Sequence, residues 1–110
     1  MNKISFYKAV EQKLLVRGFN AQHDNKHVRV AQVVVTFARN KATVSLHDFS
    51  VTLDFTDDPQ NIATASQLTA KVAGYLVLQQ IAYDNNEVET ITLTADDLAG
   101  IKDDTIKTWR

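Results

Sequence analysis

The sequence predicts an α+β domain in which two helices pack on one face of an antiparallel sheet of three to four strands, in the order α-β-β(-β)-α-β with a short C-terminal element. Three observations point there. Apolar residues recur at helical spacing over residues 5–17 and again over about 60–83, whereas the stretch between is rich in β-branched residues that alternate in twos. In that stretch Ser50, Thr52 and Asp54 fall opposite Val51 and Leu53, as in an antiparallel sheet with one covered face and one wet one.

The first helix rests on Phe6, Val10 and Leu14, one turn apart, with Tyr7 alongside. Gly18 ends it by taking the left-handed conformation, and Phe19 folds back on Leu14 as the hydrophobic companion of that cap. Lys13 and Arg17 in the last turns complement the helix dipole. VRVAQVVVTF, from Val28 to Phe37, reads as one strand with Ala31, Val33, Val35 and Phe37 on one side. Arg39-Asn40-Lys41 then turns the chain into a hairpin. Along 42–55 the apolar parity slips from Val44 and Leu46 to Phe49, Val51, Leu53 and Phe55. One bulged strand, or two strands meeting at a corner near His47-Asp48, would each restore a single buried side.

Asp57, Asp58 and Pro59 read as the start of the long helix. That helix carries one charge, Lys71, and is apolar beyond a single stripe, so it is expected to be buried on more than one side. EVETITLT (87–94) is expected to be a strand, followed by a helical turn through Asp96-Asp97-Leu98 that ends at Gly100. Residues 101–110 read as an edge strand or a tail.

With 110 residues, 45% of them hydrophobic, three glycines and one proline, the chain is long enough to bury a core as one domain, 1–110. The absence of cysteine excludes disulfides, thiolate clusters and cysteine nucleophiles. Without a basic-then-apolar leader or a run of about 20 apolar residues, a cytoplasmic protein away from membranes is expected. Isolated glycines leave no phosphate-cradling loop. Ser45, His47 and Asp48 lie too close along a strand to converge as a triad. No catalytic residue and no cofactor are expected.

The net charge of −1 conceals a division. Residues 1–41 hold eight basic residues against Glu11 and Asp24, a net of +6, and the remainder holds four against eleven acidic ones, a net of −7. Two such halves attract each other within one fold or between copies. Lys26, Arg29, Arg39 and Lys41 form the candidate set for the second reading, a weak nucleic-acid or anionic-ligand binder that uses the basic N-terminal half. Helix, three strands, helix is also the order of double-stranded RNA-binding domains, a resemblance of topology alone over residues 5–83. Those modules need basic residues at the start of the second helix, where this chain has TDDPQN, so nucleic acid is not the expected partner.

HDNKH (23–27) is the most metal-like pattern, with His23 and His27 four apart and Asp24 between. It lies outside a helix, so the spacing does not bring the imidazoles together, and Asp24-Asn25-Lys26 is turn composition. A metal site is not expected there, and a metal-dependent activity centred on His23, Asp24 and His27 is the third reading of the chain. The pairs Asp57-Asp58 and Asp96-Asp97 stand where helix caps are needed.

What remains is apolar surplus. Val28, Val30 and Val34 make the second face of the first strand hydrophobic, and Gly74 opens the long helix to close approach at a cost of about 1 kcal/mol relative to Ala. Val28, Val30, Val34, Gly74, Val77 and Ile81 are therefore the expected contact surface of a non-enzymatic interaction protein that forms a homo-oligomer, a dimer first, or meets another protein. Ile101, Ile106 and Trp109 are the alternative cover.

Overall fold

Hairpin parity organises the molecule. In the computed structural model, which describes residues 2–56 and 62–108, with side chains through 103, the elements run α1 (Lys3–Val16), β1 (Ala21–His23), β2 (Val28–Val30), β3 (Val33–Ala38), β4 (Lys41–Leu46), β5 (Phe49–Asp54), α2 (Ile62–Asp84) and α3 (Ala95–Thr108). The strands form one antiparallel meander, β1-β2-β3-β4-β5. An α+β fold with helices on one sheet face is what the sequence predicts; the strand count is higher.

The extra strands come from turns without glycine. Val30 pairs with Val33 and Val28 with Val35, so the chain reverses at Ala31-Gln32, and VRVAQVVVTF is two strands. Leu46 pairs with Phe49, so the phase slip at 42–55 is a tight corner at His47-Asp48 joining two strands. Ala31 (φ 52°) and His47 (φ 54°) have positive φ, as do Arg39 and Asn40 (55° and 60°) in the turn between β3 and β4. Positive φ at both central residues is the type I′ pattern, and at the first alone the type II′ pattern.

Each two-residue turn switches the buried parity. The inner face is therefore odd in β1, even in β2, odd in β3, even in β4 and odd in β5. It carries Ala21, Val28, Val30, Val33, Val35, Phe37, Ala42, Val44, Leu46 and Leu53, all buried. The outer face is polar, with Thr36, Thr43 and Thr52 level across three strands.

α1 begins at Asn2, whose Oδ1 accepts the Ser5 N–H at 3.0 Å, and lays Phe6, Tyr7, Val10 and Leu14 on the sheet. The glycine cap at its end matches expectation. Gly18 has φ +90°, its N–H donates to Leu15 O at 3.0 Å, and the Phe19 N–H donates to Leu14 O at 3.0 Å, the paired bonds of a glycine cap. The Phe19 ring then rests on α2 at Gly74, where a Cβ would stand 2.9 Å from Phe19 Cε2.

α2 is buried on several sides, as expected: it contacts α1, α3, β3 and β4. Each fully buried Val, Leu or Phe contributes about 1.5–3 kcal/mol, so this helix and the valines beneath it form the main cohesive unit. α1 reaches β1, β2 and β3. The principal helix contacts of the sheet fall on β1 to β4; in β5 Leu53 is buried, whereas Phe49 and Val51 are half-buried.

Residues 87–94 do not form a strand. Ile91 and Leu93 pack against the core, which accounts for their alternation, but the segment is not part of the sheet. The C-terminal region is a helix rather than an edge strand or tail, and Gly100 lies inside it. Thr94 starts α3: its Oγ1 accepts the Asp97 N–H at 3.1 Å, and Asp97 Oδ2 accepts the Thr94 N–H at 3.2 Å, a reciprocal capping box. Ile101 packs against the core; Ile106, Trp109 and the Asp57-Asp58 pair lie outside the residues whose side chains are described. Among the described residues no helix is long and apolar enough to cross a membrane.

Candidate functional site

The expected contact surface is dispersed. Val28 and Val30 are 0% and 2% exposed, because the Ala31-Gln32 turn returns them to the same side as Val33 and Val35. Their apolar surplus is core and leaves nothing for a partner to touch. Val34 alone stays on the outer face, half-buried and level with Arg29 and Ser45. Gly74 accommodates Phe19 of the same chain, and Val77 is buried. Ile81 remains at the surface, 50% exposed, near Leu78 at 57%, in the helical layer on the other side of the sheet from Val34.

HDNKH closes the β1-β2 hairpin. Asp24 Oδ1 accepts the N–H groups of Lys26 (2.7 Å) and His27 (3.0 Å), and the Asp24 N–H donates to His27 O at 3.0 Å. The Lys26 and His27 N–H groups hold the Asp24 carboxyl below the usual aspartate range. His23 Nδ1 lies 2.6 Å from Glu11 Oε2, while His27 Nδ1 is 3.7 Å from Asp24 Oδ1. Asp24 is thus occupied by its own turn and His23 by α1. Among the described residues no three His, Asp or Glu side chains are grouped to share a metal.

The four basic candidates separate into positions with different partners. Tyr7 Oη donates to Lys26 O at 3.0 Å and accepts the Phe37 N–H at 2.9 Å, which brings the Lys26 loop close to the end of β3. Arg39 lies two residues on, in the next turn. Lys41 stands opposite Asp54 in the ladder. Arg29 projects from the outer face, between Gln22 and Val34. Lys26, Arg39 and Lys41 therefore share one end of the sheet, and Arg39 makes no ion pair among the described residues.

The opposite end is acidic. Beside the β4-β5 turn lies an open depression of about 410 Å³ with Leu46, Phe49, Tyr83 and Ile91 as apolar walls and Asp48 and Glu89 at its rim. Neither acid makes an ion pair among the described residues. His47 borders it, with its Nε2 2.9 Å from Gln80 Oε1; the Gln80 side-chain N–H donates to Asp84 Oδ1 at 2.7 Å. These side chains tie the β4-β5 turn to the last turns of α2.

β5 connects these two ends. In a two-residue hairpin the closing pair, here Leu46-Phe49, exchanges hydrogen bonds, and every second pair after it does the same. Phe49, Val51 and Leu53 therefore direct their backbone groups to β4, and the Phe55 N–H continues the series to Asn40 O at 2.8 Å. Ser50, Thr52 and Asp54 direct theirs outward, along an edge with no strand beyond it among the described residues. The strand carries no Pro, Lys or bulge, the usual protections of an exposed edge.

Sequence reading missed this edge because it assigned a further strand to 87–94. The signal was present in FSVTLD itself, an alternating strand without gatekeepers. The acidic depression left no local signal, since Asp48, Tyr83 and Glu89 meet only through the fold. No family model, curated protein or solved structure matches the chain.

Proposed function

We propose that this protein is a non-enzymatic assembly module that self-associates by adding β5 of a second copy to its own free β5 edge. The observation that carries this reading is the self-complementarity of that edge. Opposite residues in an antiparallel pair share a face, so a two-fold pairing must bring odd residues to odd and even to even. Of the registers that satisfy this, two pair the greatest length of β5. One places Val51 opposite itself and Asp48 opposite the partner's Asp54, a like-charge clash at both ends. The other places Thr52 opposite the partner's Thr52 and Ser50 opposite the partner's Asp54, with all their outward backbone groups paired.

The second register also matches side chains and charge. On the inner face Phe49 meets the partner's Phe55 and Val51 meets the partner's Leu53, covering rings that are half-buried in one copy. Antiparallel pairing brings Asp48 of each copy to the end of the other that holds Lys26, Arg39 and Lys41 together with Asp24 and Asp54. The division of charge in the sequence supports association between copies in this arrangement.

Because the chain has no cysteine, one substitution reports the register. Thr52→Cys is expected to form a disulfide-linked dimer under mild oxidation, since facing Cα atoms lie within disulfide range. Ser50→Cys is not, being four residues, about 13 Å, from its counterpart. Thr52→Pro removes an outward N–H and no ladder bond, so it should give a folded monomer by sedimentation. A wild-type protein that sediments as a monomer at millimolar concentration, with Thr52→Cys unlinked, would refute the reading.

A further inference from the structure

We infer that the hollow where the end of α1 meets α2 and α3 binds a small carboxylate carried on an aromatic ring. It lies in the helical layer, whereas the pairing proposed above uses the edge of β5, so the inference goes beyond that reading and does not rest on it. The hollow holds about 180 Å³, the scale of an apolar cavity of about 150 Å³ that takes one benzene ring. Gly74 gives it its floor. With no Cβ there, the Phe19 ring folds down onto α2, 2.9 Å from where that atom would stand, and forms one wall. Tyr75, Leu78 and Ile101 complete the apolar lining, and the Tyr75 hydroxyl is tethered by donating to Asp97 Oδ2 at 3.2 Å. Two aromatic rings beside two aliphatic side chains suit a flat ring in offset or edge-on contact.

Charge selects the head group. The charged residues of the lining are both basic, Arg17 and Lys71. Lys71 is the one charged residue of α2 before Asp84 and is 9% exposed. A lysine held so deep in an apolar helix marks a place for negative charge. Arg17 is exposed and makes no ion pair among the described residues, and a guanidinium meets a carboxylate through two parallel N–H bonds. The carboxyl of Asp97, behind Tyr75, is occupied by the Tyr75 hydroxyl and by the Thr94 N–H. A carboxylate at the mouth therefore meets cations while its ring displaces water from the apolar walls.

Phenylacetate is the probe. Titrated into the full-length protein, it should shift the amide resonances of Gly74, Tyr75 and Leu78 saturably, with a dissociation constant below about 1 mM. Phenylacetamide keeps the ring and loses the charge, and should bind at least about tenfold more weakly. Added salt should weaken phenylacetate and leave phenylacetamide unaffected. Arg17→Gln, at an exposed side chain, and Lys71→Met, which keeps the buried stem, should each weaken phenylacetate by about tenfold without changing phenylacetamide. Equal affinity for the acid and the amide in the wild-type protein would overturn the inference, as would an absence of saturable shifts at these three amides up to about 10 mM phenylacetate. Both refuting results are read on the wild-type chain, so neither depends on a variant that folds.

Discussion

Removing one oxygen atom from Tyr7 should cost the fold about 1–3 kcal/mol. Ala38-Lys41 closes the β3-β4 turn, so the Phe37 N–H faces away from β4, toward the place where β2 would continue had it not ended at Val28. The Tyr7 hydroxyl takes that place, accepting the Phe37 N–H at 2.9 Å and donating to Lys26 O at 3.0 Å. Burial raises the phenol above its ordinary value of 10.0, the effect that outweighs the lowering by the Phe37 N–H, so the group is neutral and able to donate throughout the physiological range. Tyr7→Phe keeps the ring and its neighbours Phe6 and Phe37 but strands a buried donor. The Lys26 carbonyl, on an exposed loop, can turn to water. Urea unfolding should show a lower midpoint with an unchanged slope, and amide exchange at Phe37 should accelerate. A loss below about 0.5 kcal/mol would mean that the hydroxyl does not carry this bridge, and the account of why β2 can be so short would be wrong.

Two further measurements probe the turns and α3. Ala31→Gly relieves a positive φ of 52° that costs an L-residue about 1–3 kcal/mol, against about 0.5–1 kcal/mol of added unfolded-state entropy. A net gain near 1 kcal/mol is expected in urea unfolding, and a loss would contradict the type II′ assignment. Asp97 is held below its ordinary value of 3.8, first by the Thr94 N–H, then by the Thr94 hydroxyl, with a smaller contribution from Tyr75. A carboxyl whose folded pKa is depressed supports the fold above its unfolded pKa and loses that support as pH falls through the folded value. Amide-exchange protection in the first turn of α3, taken relative to the intrinsic rate at each pH, should therefore fall below pH 3.8, and Asp97→Asn should remove that pH step.

Much of the fold was legible because its physics is local. The Gly18 cap, the apolar spacing of Phe6, Val10 and Leu14, and the broad burial of α2 all follow from residues within a few positions of each other. The turn at Arg39-Asn40 announced itself through an asparagine that tolerates positive φ. Ala31-Gln32 and His47-Asp48 carry no such residue. Alanine and histidine occupy positions where glycine is preferred, so their strain is offset by pairing along β2-β3 and β4-β5, which single-sequence reading does not register. Missing one two-residue turn inverted the parity of everything on its far side. Val28 and Val30 were thereby counted as a second apolar face when they belong to the first.

That inversion also explains why the candidate surface moved. An apparent excess of apolar residues arose from a misplaced turn, and once the turn is placed the helices account for the valines. What the helices leave uncovered is greatest at the sheet's edge: α1 makes its main contacts with β1, β2 and β3 and α2 with β3 and β4, so that β5, although Leu53 is buried and the Phe55 ring lies 6.4 Å from Phe6, has the least helix over it. Phe49, Val51 and Phe55 are half-buried for that geometric reason, while Ser50, Thr52 and Asp54 hold the backbone groups of the open edge. A strand so placed either requires protective charges along its length or benefits from a partner strand. β5 has aspartates only at its flanks, Asp48 and Asp54, and in the Thr52-centred register these avoid each other. The same pattern that fails to repel a second copy in that one register repels it in the neighbouring one, and discrimination between registers is what separates specific assembly from edge-to-edge aggregation.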